Sequence, residues 1–245
     1  MTNFTMRVAG QVAAVSAMYD STREFCANYL TDDAPAFAIR ITPEDIEFER
    51  EKSDREYQLE GKAQRAFPDA YLETIAVQRK LAECLFEADT LLFHGSVVAV
   101  DGEAYLFTAK SGTGKSTHTR LWREVFGDRA VMINDDKPFL RIDETGVTAC
   151  GSPWNGKHHL GCNASAPLKA ICILTRGAEN RICRISPKDA VLMLLQQSNR
   201  PMDKRLMPRY MALLDALAAR VAFYQLACNM DRQAAVIAYD AMKGC

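Results

Sequence analysis

The residues Ala109-Lys110-Ser111-Gly112-Thr113-Gly114-Lys115-Ser116 combine types and spacing that are able to do chemistry. They follow the pattern G-x-x-x-x-G-K-[ST], with alanine in place of the first glycine. A loop of this composition turns successive backbone N–H groups toward one point, and the helix after it adds the positive end of its dipole. A polyphosphate is then held by main chain. Lys115 reaches the β- and γ-phosphates, and the hydroxyl of Ser116 is available to Mg²⁺. Lys110 to Thr117 is the expected nucleotide site, with ATP and Mg²⁺ as its ligands. Alanine is excluded at the first position only where the backbone needs φ > 0 or very close packing.

A second constellation is Asn134-Asp135-Asp136, at the end of the apolar run Val131-Met132-Ile133. Phosphoryl transfer to a hydroxyl needs a metal to offset phosphate charge and a group to accept the proton of the attacking oxygen. Successive side chains of an extended segment point to opposite sides, so two adjacent aspartates take different jobs. Asp135 is expected to act as base and Asp136 as a Mg²⁺ partner. Downstream, Gly151-Ser152-Pro153-Trp154-Asn155-Gly156-Lys157 has the composition of a structured loop. There Lys157 is either a point charge beside the transferring phosphate or a solvated residue on a turn anchored by Trp154. Arg176 ends an apolar run and has the planar fork that matches phosphate oxygens.

The elements that must position these residues are legible in the spacing. Ser96–Val100 and Glu103–Phe107 read as strands of a hairpin turned by Asp101-Gly102, so the glycine loop leaves a strand. Thr117–Phe126 carries Leu121, Trp122, Val125 and Phe126 at helical spacing, with Gly127 to stop it. Leu140–Ile142 and Val147–Cys150 read as paired strands, and Leu168–Thr175 as a buried one. Helices follow from Pro187, from Pro208 to Arg220 and from Asp231 to Met242, with a strand at Val221–Ala227 between the last two. Before residue 91, strand-like Phe4–Met18 is interrupted by Gly10, and helical Ser21–Leu30 and strand Ala36–Ile41 come next. Glu44–Glu56 has no apolar face and reads as solvated, and Pro68–Ala88 is the longest helical pattern. Alternation of this kind predicts an α/β layered fold with a mixed sheet, because hairpins feed it.

The order His94-Gly95, hairpin, Lys110 to Ser116, then Asn134-Asp135-Asp136 resembles the catalytic core of the HPr kinase/phosphorylase family over residues 91–176. It is also similar to the related ATP-dependent phosphoenolpyruvate carboxykinases, which share the Ser-Gly-Thr-Gly-Lys run. The resemblance implies a mixed β-sheet P-loop kinase core of that type at 91–245 and a homo-oligomer, and a length of 245 residues leaves room for an N-terminal α+β lobe at 1–90. It implies that His94 lies near Asp135, the acid/base, and that Asp136 and Ser116 hold the metal. A cationic His94 would lower the pKa of Asp135. The family's arginine-glycine signature and the metal-binding glutamate before it have no counterpart in Cys150–Lys157. The carboxykinases' arginine cluster and metal-ligand set have none either. Taken together, these residues describe an ATP-dependent phosphotransferase that acts on a hydroxyl of a protein, peptide or metabolite. Here Lys115 and Lys157 stabilise the transferring group. Two alternatives stay open: a non-catalytic nucleotide-binding sensor or accessory protein, and a carboxykinase-like enzyme.

Composition agrees with a globular chain of 245 residues, 48% hydrophobic and 25% charged. A net charge of −1 without a basic run argues against nucleic acid as a partner. Eight cysteines without a C-x-x-C pair, and His158-His159 beside Cys162, show no metal-finger spacing. With no signal peptide or membrane-length apolar run, a cytoplasmic protein with reduced thiols and no membrane partner is expected.

Overall fold

The computed structural model describes residues 1–156 and 158–244 and divides into two units, Met1–Glu87 and Ala88–Cys245. In the first unit, β1 (Thr2–Val8) and β2 (Gln11–Ala17) pair antiparallel, from Thr2↔Ala17 to Val8↔Gln11. Ala9 and Gly10 between them have φ of 51° and 82°. Such a left-handed pair suits the twist of a two-residue hairpin, so the interrupted run Phe4–Met18 is two strands. The helix expected over Ser21–Leu30 is the shorter α1 (Asp20–Phe25). β3 (Phe37–Arg40) then adds parallel to β2.

Most of the acidic stretch is solvated, as expected, although Ile46 and Glu49 are buried. It lies wholly within a helix, α2 (Pro43–Leu59), which packs on α3 (Asp69–Phe86). Pro43 in the first turn and the Asp45 carboxylate, which accepts the Thr42 N–H at 3.0 Å, start it. Partners for its charges come from α3. Arg79 donates from Nε to Glu49 Oε1 at 2.6 Å and from Nη2 to Asp45 Oδ1 at 3.0 Å, while Lys80 Nζ donates to Asp45 Oδ2 at 2.6 Å. Glu49, 3% exposed, is buried at tolerable cost because Arg79 faces it.

In the second unit, β4 (Thr90–Leu92) precedes the hairpin of β5 (Ser96–Val100) and β6 (Glu103–Thr108). The glycine loop then opens α4 (Lys115–Phe126). β7 (Ala130–Asn134), β8 (Phe139–Asp143), β9 (Gly146–Cys150), β10 (Ser165–Arg176) and β11 (Arg181–Ile185) follow. The chain continues through α5 (Pro187–Gln197), α6 (Met207–Arg220), β12 (Ala222–Cys228) and α7 (Gln233–Met242).

These strands form one nine-stranded mixed sheet in the order β4-β8-β9-β10-β6-β5-β7, with β12 on β10 and β11 on β12. β6, β10 and β12 run parallel, and the other pairings are antiparallel. β10 joins the two halves, pairing with β9 at Ser165–Pro167 and with β6 from Leu168 onward, with a register shift between Leu168 and Ala170. β4 and β11 have no counterpart in the sequence reading.

α4 and α7 pack together over this sheet. Between them Trp122 is fully buried, its ring 5.0 Å from Tyr105, 5.1 Å from Phe107 and 5.8 Å from Tyr239. α4 is therefore seated by an aromatic cluster, which holds its first turn, and the loop before it, at the end of β6.

Candidate functional site

The strand register brings the chemistry-bearing residues to one end of the strands. β5 begins where β6 ends, because Ser96 pairs with Phe107, and the Thr108 hydroxyl donates to His94 O at 3.1 Å. β7 ends where β5 begins, because Val97 pairs with Asn134, and Gly95 N–H donates to Asp136 O at 3.0 Å. β10 leaves the sheet beside β6, since the two are parallel with Ile173 opposite Thr108. Its last residue, Arg176, then donates from Nη2 to Gly112 O at 2.7 Å. The glycine loop, His94, the aspartate pair and Arg176 thus share one end of the strands, the crevice where open α/β sheets bind ligands.

In the loop, Gly112 and Gly114 have φ of 75° and 119°, conformations that a Cβ makes costly. Ala109, which replaces the first glycine, is buried and not left-handed, so alanine meets no strain there. Thr113 N–H donates to Lys110 O at 3.2 Å, and Gly114 caps α4 while accepting from His118 N–H at 2.9 Å. Lys110, Ser111, Gly112 and Ser116 are exposed, and Thr113, Lys115 and Thr117 are half-buried. Lys115 Nζ folds back to donate to Ala109 O at 3.2 Å. Burial lowers its pKa, Asp136 and Asp135 pull it up, and Lys137 opposes them.

The two aspartates occupy different environments. Asp135 is 5% exposed, its Oδ1 accepting the Ser96 hydroxyl at 2.8 Å. A Cβ on Gly156 would lie 3.0 Å from Asp135 Oδ2, so glycine lets the 151–163 loop close on this carboxylate. Asp136 is half-buried. Burial raises its pKa against the pull of Lys137 and Lys115, and Asp135 raises it further.

His94 corrects the expectation drawn from the resemblance. Its Nε2 lies 3.3 Å from Oδ1 of Asp136, and burial, then Lys137 and Lys115, push its pKa down to about 3. At neutral pH the contact is therefore one of a neutral imidazole with Asp136, where a cation was expected. Lys157 lies outside the described residues.

Two cavities flank the loop. One, of about 460 Å³, is lined by Thr113, Thr117, His118, Arg176, Cys228 and Met230, among others. The other, of about 590 Å³, lies on the side of Lys115, Ser116 and Arg120. His118 is 2% exposed, and its Nε2 accepts the Trp122 indole N–H at 3.0 Å. Burial depresses its pKa to about 4, and its Nδ1 has no partner among the described residues.

The sequence model of one protein family, described as ScmC: SynChlorMet cassette protein ScmC, matches residues 69–242, more than half of the chain. The chain belongs to the ScmC family. No curated protein matches it. The structure of the Hpr(Ser) kinase/phosphatase from Coxiella burnetii is similar over 62% of this chain and 88% of that one, with 10% sequence identity and a TM-score of 0.37. The ScmC match takes in the glycine loop, the aspartate pair and Arg176.

The positioning roles of several residues at this end of the ScmC chain's strands were not read from the sequence. Asn134, fully buried, accepts from the N–H groups of Asp136 (2.8 Å) and Lys137 (2.7 Å). Its amide donates to Ser152 O, Ser152 Oγ and Trp154 O, at 3.2, 3.1 and 3.4 Å. One side chain thus sets the aspartate turn and ties the 151–163 loop to it. An asparagine two residues before a turn N–H is a local signal that could have found half of this role. Nothing local signals Ser152 or Ser96 as partners.

Proposed function

We propose that this protein is an ATP- and Mg²⁺-dependent phosphotransferase with HPr kinase-like chemistry, which moves the γ-phosphoryl group to a hydroxyl of a protein, peptide or small metabolite. The observation that carries this reading is the convergence of the glycine loop, Lys115, Arg176 and two unlike carboxylates at one end of the strands. Phosphoryl transfer asks little covalent chemistry of a protein and mostly requires positioning and charge stabilisation. Loop N–H groups and Lys115 would hold the β- and γ-phosphates, and Arg176, already bonded to the loop, would face them from β10.

The donor set suits magnesium. No group of three or more His, Cys, Asp or Glu side chains able to hold a metal forms among the described residues. Ser116 and a carboxylate match an ion that keeps water and phosphate oxygens as its other ligands. When bound, Mg²⁺ would offset the charge of the phosphates.

The environments favour exchanging the two aspartates' expected roles. Asp136 has a raised pKa and the neutral His94 beside it, which suits a proton acceptor. Asp135, with Oδ1 held by Ser96 and no hydrogen bond to Oδ2 among the described residues, suits the metal side with Ser116.

The test follows γ-labelled ATP into macromolecular and small-molecule fractions of a cell extract. Asp136→Asn should lower transfer about 10²-fold or more while ATP binding stays within a few-fold. Label transfer equal to wild type in that variant would overturn the assignment of the base. ATP binding without transfer by the wild type would overturn the phosphotransferase and leave a nucleotide sensor.

A further inference from the structure

The larger cavity has a charge pattern that the nucleotide does not use up. Ser116, Arg120 and Arg123 recur at i, i+4 and i+7, so they lie along one face of α4, and all three line this cavity together with Lys115. His158 and Leu160 close it from the 151–163 loop, whose Gly156 rests against Asp135. Among the described residues no carboxylate side chain lines it. Arg120 is shared with Glu124 at 3.5 Å, and Glu124 also meets Arg232 at 3.3 Å. Arg123 is half-buried and has no ion pair among the described residues. An unpaired guanidinium, half withdrawn from water beside a second one, favours an oxyanion brought by a ligand.

Arg123 sits two helical turns beyond Ser116, roughly 10 Å along the helix axis at the usual 1.5 Å rise. That distance takes it past the phosphates gathered at the first turn. The guanidinium is thus better placed for a second molecule than for ATP, and that molecule would lie between α4 and the loop that covers the aspartates.

We propose that this cavity holds the oxyanion, a carboxylate or a phosphate, of the phosphoryl acceptor, whose hydroxyl extends past Lys115 and out of the cavity toward the aspartates. The inference rests on the phosphotransferase reading above and names its substrate class. In the reaction the acceptor oxygen bonds to the γ-phosphorus, the bond from that phosphorus to the β–γ bridging oxygen breaks, and ADP leaves with that electron pair. The hydroxyl proton passes to Asp136. Arg123 and Arg120 hold the oxyanion and take no part in the bond changes.

The experiment is a calorimetric titration of the full-length protein with ADP and Mg²⁺ present. The probes are glycerol 3-phosphate and a serine heptapeptide with aspartate flanks, each paired with its neutral counterpart, glycerol and the asparagine-flanked peptide. At least one anionic probe should bind and its neutral counterpart should not. Arg123→Gln should weaken that binding about tenfold or more, and Arg123→Lys less, in proportion to one charge-assisted hydrogen bond. Which probe binds separates an acidic peptide from a phosphorylated metabolite. If neither anion binds a protein that still binds ADP, or if Arg123→Gln leaves the anion's affinity unchanged, the proposal is overturned and the phosphotransferase reading stands apart from it. If the wild type fails to bind ADP, the nucleotide reading itself is overturned.

Discussion

Asn134 shows how much of the site depends on a residue that does no chemistry. Five hydrogen bonds converge on its side chain, and two of them fix the N–H groups of the aspartate turn. Asn134→Ala leaves buried donors and acceptors unpaired, and is expected to cost about 1–3 kcal/mol of stability, read as a lowered denaturant midpoint. An unchanged midpoint would mean that water replaces the amide.

The histidines give a pH dependence with a definite sign. His94 and His118 have pKa values of about 3 and about 4 in the folded chain, below the ordinary value of 6.5. Between those limits the unfolded chain binds more protons, so stability is full above about 6.5 and is lost as pH falls through that window. Protonating His118 also removes the acceptor of the Trp122 indole. The melting temperature should therefore fall from pH 7 to pH 4.5, and His118→Gln should flatten the curve. A slope unaltered in that variant would assign the effect elsewhere.

Among the elements, α2 and α4 illustrate opposite sources of order. α4 is amphipathic, and its helix follows from apolar residues at local spacing. α2 is hydrophilic, and it is held by a cap and by Arg79 and Lys80 of α3, some thirty residues later. Removing one partner of a buried pair strands the other charge. Arg79→Met should cost about 1–3 kcal/mol in chemical denaturation, because it leaves buried Glu49 with only the longer 3.9 Å contact to Lys52. A loss below about 1 kcal/mol would class the network with surface ion pairs. The glycine loop depends on backbone for another reason: Gly112 and Gly114 hold left-handed conformations between a buried strand and a seated helix, where a Cβ is costly.

For the whole molecule, the testable consequence of the proposed nucleotide site is linkage. ATP with Mg²⁺ at a hundred times its dissociation constant should add about 2.7 kcal/mol, which raises the melting temperature by roughly 5–10 °C for a chain of this size. Lys115→Met should abolish that rise. Stabilisation of the variant equal to that of the wild type would move the nucleotide away from the glycine loop. No helix among the described residues is long and apolar enough to cross a membrane.

What the sequence by itself determined is what depends on near neighbours. The Asp101-Gly102 hairpin, the strand-loop-helix around Gly112 and Gly114, and the mixed α/β class all arise from turn chemistry and periodicity within a few residues. ScmC membership was not legible in the resemblance read from the motifs. Tertiary structure decided what depends on distant partners. It turned His94 to Asp136 as a neutral ring, buried Asp135 under Gly156 and Ser96, made a helix of the acidic stretch, and set Arg120 and Arg123 on a cavity with His158. The physical reason is the same in each case. Burial and charge pairing are set by groups that meet only when strands come into register, and no local pattern records which groups those will be.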